Sequence, residues 1–289
     1  MSAVLDKARA IERVCASQMA PVGTFTVRRA LPDRQRHAVG PWVFLDHFGP
    51  FRVTPGVDGV GPHPHAGIET VTYLLSGRNQ HRDSAGHTGV VAAGGAQWMT
   101  SGRGIIHAER PLAENDDELT MHGLQLWTSL PRAQKLAAPA YQRIEAADIA
   151  ERERDGVVLR VVAGEMDGLA GPAQVRMPLV LAHVRLQPGA EFATTVPAGF
   201  EMAAYVIAGA GRFGEGHRAV AGELAIFAPG DGPVAMANGG DDVLDVMLLG
   251  GTPAEGPLVF HGPFVMNSVD QVRAADVAYR TGRMGRLDE

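Results

Sequence analysis

The sequence predicts an all-β protein made of two related modules in tandem. The 36 glycines and 19 prolines are spread along the 289 residues, a distribution typical of many short strands joined by tight turns. Between residues 24 and 130, short apolar runs alternate with clusters of Gly, Pro, Asn and Asp, and segments 70–75 and 124–127 have the pattern of strands. The third observation is an internal repeat, which indicates the tandem arrangement.

The repeat is visible in two blocks that occur in the same order in both halves. Segment 65–77, HAGIETVTYLLSG, aligns with segment 197–209, PAGFEMAAYVIAG, at an offset of 132 residues. At an offset of 128, three glycines of each half coincide, namely Gly94, Gly102 and Gly104 with Gly222, Gly230 and Gly232. The second copy has therefore lost four residues from one loop, and the chain is interpreted as a duplication of one β-rich module.

We place the boundary between the modules at residues 142/143, which gives an N-terminal domain, 1–142, and a second domain, 143–289. The charged segment 143–155, RIEAADIAERERD, is predicted to be a short helix or an exposed connector ahead of a strand. The tail after Asn267 is predicted to be a helix, because Ser268 and Gln271 have capping-box spacing ahead of apolar residues.

Composition excludes several classes of function. A net charge of -6 without a sustained Lys or Arg run gives no surface for direct binding of nucleic acid. Cys15 is the single cysteine, so neither an internal disulfide nor a thiolate metal site can form, and a reducing cytoplasmic location is expected. No apolar stretch approaches the roughly 20 residues of a membrane span, and the N-terminus lacks the apolar core of a signal peptide.

Two short pairs of polar residues in the first module have the spacing of a metal site. His63 and His65 are two residues apart, which puts both imidazoles on one face of a strand, and His107 and Glu109 repeat that spacing. Two facing strands then offer three nitrogens and one carboxylate oxygen to a common point. This donor set suits iron, and also nickel, copper, manganese or zinc.

A lone histidine is more often a surface or hydrogen-bonded residue than a ligand, and the internal repeat distinguishes the two interpretations here. By the offsets above, the counterparts of His63, His65, His107 and Glu109 are Thr195, Pro197, Ala235 and Ala237. All four candidate ligands are absent from the second copy, whereas the glycines and apolar positions of the fold are kept. We therefore predict one metal ion per chain, in the first module alone.

Glu69 is a further candidate, because it follows His65 by four residues and could also reach a metal. Its counterpart Glu201 persists in the copy that has lost the histidines. That persistence favours a structural or supporting role for Glu69 rather than metal ligation.

Other polar residues near the site carry weaker predictions. His47 could line the mouth of the barrel or bond to backbone in a turn. Gln97 and Met99 share one face of the strand that leads toward His107, with Trp98 on the other, and either face could point inward. Three further histidines have no partner at ligand spacing and are interpreted as surface or supporting residues: His81, His87 and His122.

The blocks PHPHAGIETVTYLLSG, GAQWMTSGRGIIHAE and HGLQLW resemble segments of the pirin family within the cupin superfamily. FLDHFGP at 44–50 and GPFVMNS at 262–268 resemble further segments, so the likeness spans most of the chain. The resemblance implies a bicupin, two β-sandwich (jelly-roll) barrels, with one iron in the N-terminal barrel. It also implies a ligand set of His63, His65, His107 and Glu109.

Several bacterial pirin-like proteins resemble quercetin 2,3-dioxygenases, which open the flavonol heterocycle with O2 and release carbon monoxide. The resemblance therefore implies an oxidoreductase that uses one divalent metal, with Fe(II) favoured over Mn, Ni, Co, Cu or Zn, and takes a small aromatic substrate such as quercetin together with O2. Glu109 would be both ligand and catalytic base for the substrate hydroxyl. The alternative is an iron-dependent redox sensor or co-regulator that binds a protein partner without turnover.

Overall fold

A computed structural model describes residues 4–23, 25–53, 59–113 and 119–287, and these are mostly β-strand. The strands of the first half are β1 (Ile11–Ala16), β2 (Gln18–Val22), β3 (Phe25–Leu31), β4 (Trp42–Val53), β5 (Val60–His65), β6 (Ile68–Ser76), β7 (Arg78–Asp83), β8 (Thr88–Ala92), β9 (Ala96–Thr100), β10 (Ile105–Pro111), β11 (Leu119–Ser129) and β12 (Ala140–Ile144). Three short 3-10 turns cover Leu5–Lys7, Arg132–Gln134 and Ala146–Asp148.

The second half continues the strand pattern and ends in a helix. Its strands are β13 (Ala150–Arg154), β14 (Val157–Ala163), β15 (Glu165–Met166), β16 (Leu169–Ala170), β17 (Leu179–Leu186), β18 (Glu191–Thr194), β19 (Glu201–Ala208), β20 (Ala210–Phe213), β21 (His217–Val220), β22 (Glu223–Phe227), β23 (Val234–Ala237), β24 (Leu244–Gly251), β25 (Val259–His261) and β26 (Phe264–Met266). Helix α1 spans Val269–Arg280. Within the described ranges, no helix has the length and apolar character needed to cross a membrane.

The chain forms two compact units that do not follow the predicted single cut at 142/143. The histidine unit comprises Met19–Val27, Val43–Ala147 and Ala254–Glu289, and the apolar unit comprises Met1–Gln18, Arg28–Trp42 and Asp148–Pro253. The central boundary lies close to the prediction, but both chain ends belong to the unit formed by the opposite half. Long-range pairing is the reason, because β1 adds an edge strand to β22 and Phe264 bridges to Ala66.

The two units repeat one sheet topology. The histidine unit has a seven-stranded sheet in the order β12-β9-β6-β11-β4-β3-β2 and a four-stranded sheet in the order β5-β10-β7-β8. The apolar unit has the orders β1-β22-β19-β24-β17-β14-β13 and β18-β23-β20-β21. Each strand of one series has a counterpart at the same place in the other, so β5 corresponds to β18 and β10 to β23. The predicted all-β architecture of two tandem β-sandwich modules with a C-terminal helix is confirmed.

Strand register aligns the two units more accurately than sequence alone. Glu109 in β10 lies opposite His81 in β7, and Met236 in β23 lies opposite Phe213 in β20. His81 and Phe213 are each the fourth residue after the glycine that precedes their strand. Met236 therefore occupies the place of Glu109, one residue before the Ala237 that the sequence offset predicts.

The predicted counterparts of the other ligands are displaced in the same way. Strand pairing makes Thr194, Val234 and Met236 the counterparts of His63, His107 and Glu109, in place of Thr195, Ala235 and Ala237. By two-residue alternation the counterpart of His65 is then Val196, which packs against the apolar core, in place of Pro197. Val234 and Met236 belong to the apolar core of their unit, whereas Ala235 and Ala237 pack with Leu5 on the other face. None of the four corrected counterparts carries an imidazole, thiol or carboxylate, so the absence of ligand-type residues there still holds.

The charged segment 143–155 contains only the one 3-10 turn, Ala146–Asp148, between two strands, so of the two predictions for it the exposed connector fits better than the helix. Its ends lie in β12 and β13, and β13 pairs antiparallel with β14. The alternation of Glu151 and Glu153 with Arg152 suits a two-faced edge strand, and Glu151 forms an ion pair with Arg160 across the sheet at 3.0 Å. The predicted C-terminal helix is confirmed, with the Ser268 hydroxyl accepting a hydrogen bond from the Gln271 backbone N–H.

Lys135 connects the C-terminal segment around Val265 to the rest of the histidine unit through hydrogen bonds. Its side chain is 0% exposed, and Nζ donates to the carbonyl oxygens of Gly67 and Val265 and to the Ser129 hydroxyl, each at 2.8 Å. The backbone contact is close, since Gly67 has a φ of +78° and a Cβ there would lie 2.2 Å from the Val265 oxygen. Three distant segments therefore share one buried lysine side chain, whose protonated form has as many donors as there are acceptors around it.

Replacing Lys135 with methionine is expected to lower the free energy of unfolding by about 2–4 kcal/mol, because three buried acceptors lose their donor. Burial lowers the pKa of Lys135 from 10.5 to about 7, with the charge of Glu255 opposing the shift. Between these pH values the unfolded chain binds more protons than the folded chain, so the contribution of this lysine to stability rises with pH. Urea unfolding at pH 7 and pH 9 should show a larger difference between the wild type and Lys135→Met at pH 9.

The matched control is the exposed lysine, Lys7, replaced by methionine, which should leave the unfolding free energy within about 0.5 kcal/mol at both pH values. Equal stability losses in the two variants would contradict the role assigned to buried Lys135.

Candidate metal centre

The antiparallel pairing of β5 with β10 brings three histidines to one point. His63 lies opposite His107, and His65 lies opposite Ile105, two residues away on the same face. One ring nitrogen from each of the three histidines lies within 4.8 Å of the others. His65 and His107 are buried, and His63 is partly exposed. The structure therefore assembles three of the four predicted ligands.

Hydrogen bonds at Nδ1 orient two of these imidazoles. His63 Nδ1 donates to the carbonyl oxygen of Gly61 at 2.8 Å, and His65 Nδ1 donates to that of Pro263 at 3.2 Å. A carbonyl oxygen can only accept, so both rings carry their proton on Nδ1 and keep the Nε2 lone pair for another partner.

The Nε2 atom of His107 is the observation that fits a metal best. It is fully buried and has no hydrogen-bond partner among the described residues. A buried polar atom without a partner costs about 1–3 kcal/mol unless something satisfies it, and an imidazole lone pair beside two further imidazoles is a typical metal ligand. The residues present therefore fit a bound divalent transition metal.

Electrostatics keeps the buried imidazoles neutral. Burial, followed by the charge of neighbouring His63, lowers the pKa of His65 from 6.5 to about 3. The pKa of His107 is lowered well below its ordinary value by burial and by the charges of His63, His65 and His81. At neutral pH these two ligands need no deprotonation before they bind a metal.

Glu109 is not part of the three-histidine group, although the sequence pattern predicts it as the fourth ligand. The register of β10 against β5 shifts between His107 and Glu109, so strict two-residue alternation fails there. Gln97 Nε2 donates to Glu109 Oε1 at 2.5 Å, Asn79 Nδ2 donates to it at 3.2 Å, and the Thr72 hydroxyl lies 2.8 Å from it. These three side chains form a polar cage that holds one carboxylate oxygen.

Gln97 and Met99 lie on the face of β9 that carries the site, which the sequence left open. Gln97 is buried, bonds to Glu109 through Nε2, and accepts a hydrogen bond from the Tyr141 hydroxyl at 3.4 Å. Met99 is also buried and shares this face by alternation, whereas Trp98 faces the other way.

Glu69 and His47 lie apart from the histidine group. Thr100 Oγ1 donates to Glu69 Oε1 at 2.7 Å, on the face of β6 opposite Thr72, which favours the structural role predicted for Glu69. His47 Nε2 lies 2.6 Å from Nε2 of His122, so these two histidines form a separate pair.

Sequence reasoning missed the aromatic wall beside the histidines. Phe44 and Trp127 stack with their ring centroids 4.0 Å apart and 12° between their planes, and Trp127 meets the edge of His65 at 4.9 Å. Both aromatic residues are only partly buried. The signal available was alternation, since Trp127 and Gln125 share a face of β11 and Gln125 lies opposite Thr72.

Two β-sandwich units of equal topology, one of them with a three-imidazole group, define a two-domain cupin-type protein with a candidate metal centre. A sequence model of the family described as Pirin matches residues 24–128, and one described as Pirin C-terminal cupin domain matches residues 181–285. The chain belongs to the pirin family.

Similar proteins agree with this assignment over nearly the whole chain. A pirin-like protein of Caulobacter vibrioides is 37% identical over 279 residues, which cover 95% of this chain and 94% of the relative. The crystal structure of quercetin 2,3-dioxygenase from Acinetobacter baumannii is similar with a TM-score of 0.90 and 30% identity, covering 97% of this chain and 100% of that one. Escherichia coli pirin YhhW in complex with nickel(II) shares the fold at 20% identity, with a TM-score of 0.65 and coverage of 84% and 100%.

Replacing His107 or His63 with alanine is expected to abolish stoichiometric metal binding, because each removes one of three converging nitrogens. Metal analysis of the purified, metal-loaded protein measures this. Glu201→Gln in the apolar unit is the control and should keep one metal ion per chain. Full metal content in the histidine variants, or a second ion per chain, would contradict the predicted site.

Acid should destabilise the metal-free protein through His65. Its pKa is about 3 in the folded state against an ordinary 6.5, so the unfolded chain binds more protons between these values. The stability that neutral His65 contributes is therefore present above pH 6.5 and is lost as the pH falls toward 3. Chemical unfolding at pH 7 and pH 5 should show a smaller acid loss in His65→Asn than in the wild type, whereas the exposed control His217→Asn should match the wild type.

Proposed function

We propose that this protein is a metal-dependent dioxygenase that opens the ring of flavonol-like aromatic substrates with O2. The observation that carries the proposal is a set of three converging imidazoles, two of them buried, directly beside a partly exposed aromatic wall. The likeness to the quercetin 2,3-dioxygenase of Acinetobacter baumannii, at 30% identity over nearly all of both chains, supports the reaction class.

His63, His65 and His107 would hold the metal, with Fe(II) as the ion that we propose. A divalent transition metal there would supply a Lewis acid for an ionised hydroxyl group and a redox centre for O2. Manganese, nickel, cobalt, copper and zinc accept the same donors, so the assay below includes loading with several metals.

The proposed role of Glu109 is to accept the proton of the substrate hydroxyl. Donors at Oε1 stabilise the carboxylate form, and the described residues donate no hydrogen bond to Oε2. That oxygen is available for a substrate proton or for a metal, so the base and ligand roles predicted for Glu109 lead to different outcomes on substitution.

The Phe44 and Trp127 rings suit a flat aromatic substrate. Stacked rings favour planar guests through offset and edge contacts, and such contacts contribute about 0.5–1.5 kcal/mol each beyond area burial. Because Trp127 also touches His65, a ring docked on this wall lies next to the imidazoles. The wall therefore supports a small aromatic substrate over a peptide or a nucleic acid.

The test is aerobic incubation of the iron-loaded protein with quercetin, following loss of the visible absorbance of the substrate and release of carbon monoxide. Glu109→Gln should lower kcat by roughly 10²-fold or more if Glu109 is the base, while metal content stays at one per chain. Glu201→Gln should turn over like the wild type. Loss of metal from Glu109→Gln would assign the carboxylate to the ligand set instead.

Absence of turnover with iron, manganese, nickel, cobalt and copper would overturn the dioxygenase proposal for this substrate. The non-enzymatic redox sensor that binds a protein partner would then be favoured.

A further inference from the structure

A second cluster of titratable side chains lies behind His107, outside the residues assigned above. His81 and Asp83 in β7 are 1% and 4% exposed, and His87 follows them in the next turn. A buried carboxylate with two imidazoles is costly to desolvate unless every polar atom is satisfied. The arrangement of their hydrogen bonds indicates what this cluster does.

The contacts form a chain that leads from the carboxylate to His107. Asp83 Oδ2 lies 3.0 Å from His81 Nε2, and His81 Nδ1 lies 3.4 Å from His107 Nδ1. Burial raises the pKa of Asp83, but hydrogen bonds from His81 and His87 outweigh burial and the pKa is lowered overall. Asp83 is therefore an ionised acceptor at neutral pH.

Because the Asp83 carboxylate can only accept, it determines which ring nitrogen carries the proton in His81 and then in His107. Asp83 accepts from His81, so His81 carries its proton on Nε2 and presents the lone pair of Nδ1. His107 must then donate through Nδ1–H, which leaves its lone pair on Nε2. That atom is the buried nitrogen without a partner among the described residues.

We infer that His81 and Asp83 are positioning residues that fix the tautomer and orientation of His107, so that His107 Nε2 is presented to a metal ion. The inference rests on the proposed metal-binding role of His107. His63 and His65 achieve the same tautomer with backbone carbonyls, so the side-chain relay is particular to His107 within the three-histidine group. A change in the relay should therefore act on one ligand only.

The surroundings of the relay hold both of its members in place. The backbone N–H groups of Ala85 and His87 donate to Asp83 Oδ1, each at 3.0 Å. Tyr141 stacks on the His81 ring with centroids 4.4 Å apart and 12° between the planes. With one oxygen fixed by backbone donors, an asparagine at position 83 would keep its oxygen there and turn its amide NH2 toward His81.

This geometry makes Asp83→Asn a test of proton direction. An amide donor facing His81 Nε2 would reverse the chain, so that His81 donates from Nδ1 and His107 carries its proton on Nε2. The nitrogen meant for the metal would then be blocked. A glutamine at position 81 passes on the proton direction in the same way as the imidazole, since beside Asp83 its NH2 donates to the carboxylate and its oxygen accepts from His107 Nδ1–H. A glutamate at position 81 can only accept, so beside an asparagine at position 83 it accepts both from the amide NH2 and from His107 Nδ1–H.

The experiment titrates the metal-free full-length protein with Co(II), following the visible ligand-field absorption, and measures the thermal unfolding midpoint of each metal-free variant. We expect Asp83→Asn and His81→Phe to bind Co(II) about 10–100-fold more weakly than the wild type. His81→Gln, which still donates to Asp83 and accepts from His107, and the double variant His81→Glu/Asp83→Asn should stay within about threefold of it. His122→Gln, in the separate histidine pair, is the control and should be unchanged.

Rescue by His81→Glu/Asp83→Asn is the result that a merely structural role would not produce, because that variant contains Asp83→Asn together with a second substitution in the same buried cluster. Wild-type affinity in folded Asp83→Asn and His81→Phe would overturn the relay while leaving the metal site intact. So would equal weakening in all four relay variants. Failure of the wild type to bind Co(II), Fe(II) or Ni(II) would overturn the metal site itself, and the relay with it.

Discussion

The antiparallel register of β5 against β10 is the constraint on which the candidate site depends. It places His63 opposite His107 and leaves His65 on the same face. Side chains alternate along a strand, so a slip of one residue would turn the imidazoles of one strand away from those of the other. Backbone hydrogen bonds between two short strands thus bring the three imidazoles together. The carbonyl oxygens of Gly61 and Pro263, and the relay of His81 and Asp83 behind His107, then set the tautomer of each ring.

The two units have the same strand topology but fill the space between their sheets with different kinds of side chain. The apolar unit fills the interior between its sheets with residues such as Phe192, Phe213 and Met236, which is the expected way to stabilise a sandwich. The histidine unit places buried Gln97 and partly buried Glu109 on the corresponding strands, and the buried polar group there needs a partner. Polar side chains thus stand in the histidine unit, at the place where the chemistry is proposed, on strands whose counterparts in the other unit carry apolar ones.

The sequence predicts those parts of the molecule that follow from local periodicity. Two-residue spacing is sufficient to place His63 with His65, and the cap at Ser268 is sufficient to begin a helix. Periodicity does not predict positions where strand pairing is irregular. The register shift after His107 changes the surroundings of Glu109. In the second unit, the counterpart of Glu109 is Met236, one residue before the position that the sequence offset predicts. The division into units was also hidden, because the pairing of β1 with β22 joins residues far apart in the chain.

The C-terminal segment contributes an acceptor to the candidate site without contributing a ligand. The carbonyl oxygen of Pro263 fixes the tautomer of His65, and the neighbouring Val265 is anchored by Lys135. Pro263 and Val265 follow the three histidines in the chain and are therefore synthesised after them. A nascent chain that already contains all three imidazoles still lacks the carbonyl group that orients one of them, so the order of synthesis delays completion of the candidate site until the segment around Pro263 has docked.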